Sequence, residues 1–319
     1  MTTTDATTPR LPVTAIIAPG WDLPRWAAAL RAAAPGIDLR LWPDLGDRGE
    51  IEAALLWKQP EGALEGMTRL GFAQSLGAGV EHLLADPAIG PDVVLGRAVD
   101  PEMTAEMVRF VVHAVLAVSV DALGYREQQA AGRWAKRDVP GGALAVGMLG
   151  LGELGASAAR ALAALGFTVT GWSRSPKTVE GIACLSGAEG LDRVIATSGC
   201  LVNLLPLTDE TRGLIDARRL ARMPAGSHLV NVARGGHVVE NDLLAALDNG
   251  HLASATLDVT ATEPLAPGHR FWHHPRIVLT PHVAADSTPE TMAPILADSL
   301  RRHAGGLPPR DPVLRDRGY

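Results

Sequence analysis

Three side chains in the C-terminal half of the sequence have the chemistry of a proton-transfer site. Arg234, Glu263 and His282 each closely follow an apolar segment. A guanidinium can anchor an anion, an imidazole can donate a proton near neutral pH, and a carboxylate can hold that imidazole. Each residue also has a structural interpretation, because Arg234 could form an ion pair, His282 could lie in a loop, and Glu263 could cap a turn before Pro264.

The elements that would gather these side chains are short parallel strands. Apolar segments of strand length alternate with helical patterns between residues 191 and 280, which predicts an α/β layer. Ligands of open parallel sheets collect beyond the carboxyl ends of the strands. The residues that follow each strand should therefore converge on one edge of the sheet. The predicted strands are 200–205, 228–233, 253–259 and 277–280, and the predicted helices are 191–197, 218–223 and 241–247.

A glycine-rich turn begins this half of the chain and predicts a dinucleotide site. The apolar segment 144–149 runs into Gly150-Leu151-Gly152-Glu153-Leu154-Gly155, followed by a helical pattern at 156–165 and a second apolar segment at 167–172. In such a unit one glycine makes the turn, one admits the pyrophosphate, and one packs the helix on the strand. The residues predicted to contact the pyrophosphate are Gly150, Gly152, Glu153, Leu154 and Gly155.

The end of the second strand indicates which dinucleotide binds. NAD sites usually place an acid there for the ribose 2′-hydroxyl, whereas NADP sites replace it and supply arginine. Residues 172–177 read WSRSPK, with no acid before Glu180, so we predict that NADP(H) is preferred and that NAD(H) is possible. Arg174 could instead be an ordinary surface charge. The residues predicted at this end of the cofactor are Trp172, Ser173, Arg174 and Lys177.

The N-terminal third has the same alternation of strands and helices, and it contains a second glycine turn. The predicted strand 70–76 leads directly into Gly77-Ala78-Gly79, where main-chain amides could bind an anion. A plain strand-to-helix turn is the alternative. A long amphipathic pattern then runs from about residue 102 to 131 and predicts one long helix, which Gly132 ends.

Composition excludes several classes of function. With 319 residues, 47% hydrophobic and 20% charged, the chain is long enough for two globular domains. A net charge of −6 and no basic run argue against nucleic acid or an anionic membrane as partner. No apolar segment has membrane-spanning length, and the polar residues 1–10 resemble a disordered tail rather than a secretion signal. A cytoplasmic enzyme is therefore expected.

Cysteine and histidine patterns predict no metal site. Cys184 and Cys200 are too few for a disulfide framework, and both lie among apolar residues, so we interpret them as core residues. His269, His273 and His274 lack the tight spacing of zinc ligands.

Three segments resemble the D-isomer-specific 2-hydroxyacid dehydrogenase family. They are NVARGGHVVENDLLAAL, LDVTATEPL and LTPHVAA, and the glycine turn with WSRS fits the same family. LGAGVEHL, NLLPLTDETRGLI and the closing RGY are most similar to its glyoxylate and hydroxypyruvate reductases. The resemblance implies NADPH-dependent reduction of small 2-oxo acids to 2-hydroxy acids. A dehydrogenase for a bulkier D-2-hydroxy acid, or a dinucleotide sensor without turnover on the same scaffold, are the alternatives.

The resemblance also assigns roles to residues. It implies that Arg234 orients the substrate carboxylate and keto oxygen, that His282 delivers the proton, and that Glu263 pairs with the His282 cation. The remaining assignments are the substrate-binding residues Leu76, Gly77, Ala78, Gly79 and Trp57, and the cofactor-binding residues Leu205, Pro206, Val232, Ala233 and Asp258, the last beside the nicotinamide.

A two-domain organisation follows from the same resemblance. A dinucleotide-binding, doubly wound parallel sheet at residues 99–286 is expected to be inserted into a flavodoxin-like substrate domain of residues 1–98 plus 287–319. Both domains would be Rossmann-like α/β layers. Family members pair through the cofactor domain, so a homodimer is implied, and Trp134 is predicted to reach across it.

Overall fold

The computed structural model describes residues 9–139 and 141–318. The chain forms two compact units, Met1–Glu102 with Ser287–Tyr319, and Met103–Asp286. Most of the predicted N-terminal tail, residues 1–8, and Tyr319 of the closing RGY lie outside the described residues.

The secondary structure follows the predicted alternation of strands and helices. Within the described residues the strands are β1 (Thr14–Ile17), β2 (Leu39–Leu41), β3 (Ala53–Leu56), β4 (Phe72–Ser75), β5 (Val94–Gly96), β6 (Ala145–Leu149), β7 (Thr168–Ser173), β8 (Ala183–Ser186), β9 (Cys200–Asn203), β10 (Ser227–Asn231), β11 (Leu252–Leu257) and β12 (Ile277–Leu279). The α-helices are α1 (Leu23–Ala33), α2 (Glu81–Leu84), α3 (Pro101–Ser119), α4 (Ala122–Ala130), α5 (Glu153–Ala164), α6 (Gly187–Thr197), α7 (Ala217–Leu220), α8 (Glu240–Asp248) and α9 (Pro289–Ala304). Single 3₁₀ turns lie at Arg48–Glu50, Gly141–Ala143, Gly235–His237 and Arg270–Trp272.

The first unit is a five-stranded parallel sheet in the order β2-β1-β3-β4-β5, which is the flavodoxin order. Its central strands are buried at every position, as expected for a parallel sheet covered on both faces. Trp26 and Leu30 of α1 pack with Leu296 and Leu300 of α9 in the core on one face. The helix α9 belongs to the C-terminal segment of this unit.

The second unit is a seven-stranded parallel sheet in the order β12-β11-β10-β9-β6-β7-β8. After β6 the chain adds β7 and β8 on one side of the sheet, and it then adds β9 to β12 on the other side. The strand order therefore reverses between the neighbours β6 and β9. Separate hydrophobic clusters cover the two faces. The predicted α/β class and doubly wound sheet are confirmed, and this topology places a ligand crevice at the carboxyl ends of β6 and β9.

The predicted long helix 102–131 is wrong, because the structure contains two helices there. α3 ends at Ser119 and α4 begins at Ala122. Asp121 has a left-handed backbone with φ of 51°, and its carboxylate accepts a hydrogen bond from the Gly124 amide at 3.2 Å. The left-handed residue stops the first helix, and its side chain caps the second. The sequence patterns also do not predict β8 or α2.

None of the described helices is by itself long and apolar enough to cross a membrane. The consecutive helices α3 and α4 together have the necessary length and composition, but they are bent by 60° relative to each other.

The two cysteines differ in their environment. Cys200 in β9 is fully buried, and burial raises the pKa of its thiol to about 12. The core interpretation of Cys200 is confirmed. Cys184 in β8 is half-buried. Within residues 9–139 and 141–318, the structure contains no group of three or more His, Cys, Asp or Glu side chains arranged to hold a metal.

Candidate active site

The glycine turn after β6 has the shape that a dinucleotide pyrophosphate requires. Gly150 has φ of +96°, and a Cβ there would lie 2.6 Å from the Leu204 carbonyl oxygen. A Cβ on Gly155 would lie 1.9 Å from the Gly150 oxygen, which shows how closely α5 packs on the turn. A Cβ on Gly152 would meet none of the described atoms within 4 Å, and no described side chain caps the α5 N-terminus there. The turn therefore leaves room for phosphates beside the α5 amides.

The residues after β7 divide into buried and exposed groups. Trp172 and Ser173 are 8% and 7% exposed, and the Trp172 indole donates to the Gly187 carbonyl at 2.8 Å. Arg174 is more exposed, and its guanidinium contacts Glu210 at 3.3 Å. The Lys177 ammonium donates to the Leu151 carbonyl within the glycine turn, at 2.9 Å.

Two of the three predicted acid–base residues form a direct pair. The Nδ1 atom of His282 lies 2.8 Å from Oε2 of Glu263, and both side chains are partly exposed. Arg234 lies three residues beyond the end of β10, and its guanidinium donates to the Ala233 carbonyl at 2.8 Å. His282 follows β12, and Glu263 lies in the loop between β11 and β12. The strand-exit pattern thus brings the imidazole and the carboxylate into contact.

Asp258 organises the turn that carries His282. This carboxylate is almost fully buried at 2% exposure and accepts hydrogen bonds from Val283 N, Ala284 N and Thr280 Oγ1 at 2.9, 2.9 and 2.6 Å. The Asp258 carbonyl accepts the His282 amide at 2.8 Å. The family resemblance predicts that Asp258 lies beside the nicotinamide, and it does not predict this network. A buried acid at a strand end indicates that hydrogen-bond donors surround it, but it does not identify them.

Three further side chains that were not predicted connect neighbouring strand exits. Asn203 at the end of β9 donates to Asn231 at the end of β10, Nδ2 to Oδ1, at 3.0 Å. The ring nitrogens of buried His237 lie 3.0 Å from the Arg234 carbonyl and 3.2 Å from the Pro206 carbonyl. These contacts hold the loops after β9 and β10 together. Leu205, Val232 and Ala233 are buried beside them, and their contact with the nicotinamide stays a prediction.

The glycine turn of the first unit packs under an indole ring. A Cβ on Gly77 would lie 2.8 Å from Cζ3 of Trp57. The Ser75 hydroxyl donates to the Gly79 carbonyl at 2.6 Å and accepts the Gly77 amide at 3.2 Å. Trp57 itself lies 5.3 Å from the His82 ring, centroid to centroid. The binding of a substrate carboxylate by Leu76, Gly77, Ala78 and Gly79, with Trp57 beside them, stays a prediction.

A doubly wound sheet, a glycine turn shaped for pyrophosphate and a histidine–carboxylate pair at the strand exits define a dinucleotide-dependent dehydrogenase. The model of the D-isomer specific 2-hydroxyacid dehydrogenase NAD-binding domain matches residues 112–284. The chain belongs to this family, and the resemblance seen in the sequence is confirmed.

Individual relatives cover nearly the whole chain. Glyoxylate/hydroxypyruvate reductase A of Serratia proteamaculans is 38% identical over 297 residues, which are 91% of this chain and 95% of that protein. A D-isomer specific 2-hydroxyacid dehydrogenase of Xanthobacter autotrophicus Py2, solved with NADPH and MES, is 41% identical, with a TM-score of 0.92 over 97% of this chain and 100% of that chain. The NADPH-dependent glyoxylate/hydroxypyruvate reductase of Sinorhizobium meliloti, solved with NADP and sulfate, is 35% identical, with a TM-score of 0.88 over 96% and 99%.

Proposed function

We propose that this protein uses NADPH to reduce small 2-oxo acids, such as glyoxylate and hydroxypyruvate, to 2-hydroxy acids. The observation that carries the proposal is the 2.8 Å contact between His282 Nδ1 and Glu263 Oε2, which leaves Nε2 of the imidazole as the proton donor. The relatives named for glyoxylate and hydroxypyruvate reduction support the substrate class.

The reaction needs a hydride, a proton and a fixed carbonyl. The Gly150–Gly155 turn would hold NADPH, which would supply the hydride when bound. Arg234 binds the substrate carboxylate and polarises the keto oxygen, so the carbonyl carbon becomes more electrophilic. When the carbonyl carbon accepts the hydride, the keto oxygen becomes an alkoxide. His282 Nε2 protonates this alkoxide, and the imidazole becomes neutral. Glu263 fixes the ring orientation and stabilises its cationic form.

The residues after β7 support NADPH over NADH. Arg174 offers a guanidinium where NAD-specific sites usually carry an acid. A ribose 2′-phosphate carries two negative charges at most near neutral pH and pairs well with arginine. We infer that NADPH is the preferred cofactor and that NADH binds more weakly.

We also infer a homodimer in the cytoplasm. The segment from α3 to residue 139 exposes several large apolar side chains, including Trp134, whose side chain is fully exposed. A second copy of the chain is the partner proposed to cover them, with Trp134 reaching across. Analytical ultracentrifugation of the intact chain tests this, and a monomer at micromolar concentration would contradict it.

Replacement of His282 tests the reaction. We expect His282→Ala to lower kcat with NADPH and glyoxylate by about a hundredfold or more, because general acid catalysis is lost. Binding of NADPH, measured by fluorescence titration, should stay within twofold of wild type. His273→Ala is the matched control, because His273 is an exposed histidine that is not part of the Glu263–His282 pair. Wild-type turnover in His282→Ala would contradict the mechanism.

A substrate panel tests the assignment of the substrate class. Glyoxylate and hydroxypyruvate should give higher kcat/KM than bulky 2-oxo acids such as phenylpyruvate. The opposite order would indicate a dehydrogenase of bulkier hydroxy acids. Binding of NADPH without turnover of any member would indicate a dinucleotide sensor.

A further inference from the structure

An ion pair connects the two strand exits on either side of the glycine turn. Arg174 directly follows β7, and Glu210 lies in the loop after β9. In the sheet order these strands flank β6, which carries the glycine turn. The guanidinium of Arg174 lies 3.3 Å from Oε2 of Glu210. The pair therefore extends past the exit of β6, on the side of the site where the sequence predicts the ribose 2′-phosphate.

The position of Glu210 is fixed by its own turn. The Thr211 hydroxyl accepts the Thr208 amide at 2.8 Å and donates to the Pro206 carbonyl at 2.7 Å. The Arg212 amide donates to the Thr208 carbonyl at 2.9 Å. These bonds close a compact turn around residues 208–212. Because these bonds fix the backbone at Glu210, the Glu210 carboxylate stays close to the Arg174 guanidinium.

Arg174 forms an ion pair with Glu210 that another anion can replace. Its side chain is 40% exposed and that of Glu210 is 71% exposed, so their ion pair is solvated and weak. The neighbouring groups contact the main chain instead, with Lys177 donating to the Leu151 carbonyl and Ser173 to the Ser175 carbonyl. A phosphate that binds Arg174 takes the place of the Glu210 carboxylate, whereas a phosphate at Lys177 would add to the bond with the Leu151 carbonyl and displace no charged partner.

We propose that Glu210 determines cofactor specificity by competing with the 2′-phosphate of NADPH for Arg174. When the phosphate binds, the Arg174–Glu210 pair is lost and the Glu210 carboxylate remains close to a second anion, so NADPH binds less tightly than Arg174 alone would allow. NADH has no 2′-phosphate and does not make this exchange. Glu210 therefore lowers the ratio of the affinity for NADPH to the affinity for NADH. The inference rests on the proposed use of NADPH.

The test is the binding of two adenosine nucleotides to the intact protein. We compare 2′,5′-ADP, which carries the 2′-phosphate, with 5′-AMP, which lacks it, by isothermal titration calorimetry. Glu210→Gln should bind 2′,5′-ADP roughly three- to tenfold more tightly than wild type, the range expected for a solvated ion pair plus removal of a like charge. The affinity for 5′-AMP should stay unchanged. At 0.5 M NaCl the gain should shrink because salt screens both effects.

Two further variants separate competition from a general charge effect. Asp209→Asn removes the same charge from the adjacent residue, whereas the observed carboxylate partner of Arg174 is Glu210. Asp209→Asn should therefore change the affinity for 2′,5′-ADP by less than half as much as Glu210→Gln. In an Arg174→Gln background, Glu210→Gln should lose most of its effect, since the competition needs the guanidinium.

The possible failures are distinguishable. Weaker or unchanged 2′,5′-ADP binding by Glu210→Gln, with wild type binding this nucleotide better than 5′-AMP, would overturn the role of Glu210 and leave the proposed function intact. Equal binding of both nucleotides by wild type would overturn the NADPH assignment as well as this inference. An equal gain in Asp209→Asn would show a general charge effect and would also overturn it.

Discussion

His282 has a backbone conformation that residues with a β-carbon rarely adopt, and Asp258 explains how it is maintained. The φ angle of His282 is 58°, in the left-handed region, which costs on the order of 1 to 2 kcal/mol for such a residue. The buried Asp258 carboxylate accepts bonds from residues on both sides of His282, namely Thr280, Val283 and Ala284. These charge-assisted bonds offset the strain and fix the direction of the imidazole.

Replacement of Asp258 by asparagine should damage both stability and catalysis. An asparagine side chain has a single acceptor oxygen, so at least one buried donor loses its partner, at a cost of about 1 to 3 kcal/mol. We expect Asp258→Asn to lower the thermal midpoint and to lower kcat roughly ten- to a hundredfold by misplacing His282. Thermal unfolding and steady-state kinetics measure the two effects.

Thr280→Val is the control for Asp258→Asn. It removes one donor and leaves the carboxylate with both main-chain amides, so its effects should be smaller in both measurements. An Asp258→Asn protein with wild-type kcat and thermal midpoint would show that the network does not hold His282.

The difference between Glu263 and Asp258 shows what residue types can reveal. Glu263 and His282 were predicted to pair, because each follows an apolar segment and strand exits converge in a parallel sheet. The partners of Asp258 could not be predicted, because they depend on how the turn of residues 280–284 folds back onto β11. Such a contact depends on the exact path of the loop, and neither hydrophobic periodicity nor residue type encodes that path.

At the scale of elements, the glycine turn separates positions that serve packing from the position that serves the ligand. Gly155 lies inside α5, where a Cβ would overlap the Gly150 oxygen at 1.9 Å. Gly152 has an ordinary φ of −70°, and the space that an alanine methyl group would occupy there is open. Both are glycines of one motif, yet a methyl group at the two positions meets different obstacles.

Alanine should therefore affect stability at position 155 and cofactor binding at position 152. Gly155→Ala should destabilise the protein by about 1 to 3 kcal/mol, because α5 must shift away from the turn. Gly152→Ala should leave the thermal midpoint of the ligand-free protein within about 2 °C of wild type and weaken NADPH binding by roughly tenfold or more, since the methyl group occupies the pyrophosphate space. Differential scanning fluorimetry and fluorescence titration measure these effects. Equal loss of stability in both variants would contradict the division of roles.

The helices show where periodicity was sufficient and where it failed. The pattern at residues 241–247 predicts a helix, and α8 (Glu240–Asp248) confirms it. The apolar pattern of α3 continued past Ser119 and predicted a single helix. The break depends on the left-handed backbone of Asp121, which an aspartate adopts only in a suitable tertiary setting.

At the scale of the whole molecule, each unit contains its own core and a partly buried histidine whose pKa is lowered. In the second unit, burial lowers the pKa of His228, whose Nδ1 lies 2.8 Å from Ser254 Oγ, while Asp121 opposes the shift. In the first unit, burial lowers the pKa of His303, which stacks on Phe72 at 5.0 Å, while Glu52 opposes the shift. Each folded unit therefore favours a neutral histidine.

Both histidines should make the protein less stable in mild acid. Since the folded pKa values are lowered, the unfolded chain binds protons first as the pH falls below about 6.5, the usual histidine value. The stability from these groups is fully present above that pH and is lost as the pH falls through the folded pKa values. Carboxylates with lowered pKa values, such as Glu52, which accepts the Val13 amide and also pairs with Arg10, act in a separate window below about pH 4.5.

Thermal unfolding between pH 7.5 and pH 5 measures this loss and assigns it to a unit. We expect the midpoint to fall over this range in wild type. His228→Asn keeps an acceptor or donor at the Nδ1 position toward Ser254, and His303→Phe keeps the ring stack on Phe72, but neither side chain titrates. Each variant should therefore flatten the pH dependence, and the double variant should flatten it further, because the two sites lie in different units and their effects should add. A double variant with the full wild-type slope would show that other groups cause the acid sensitivity.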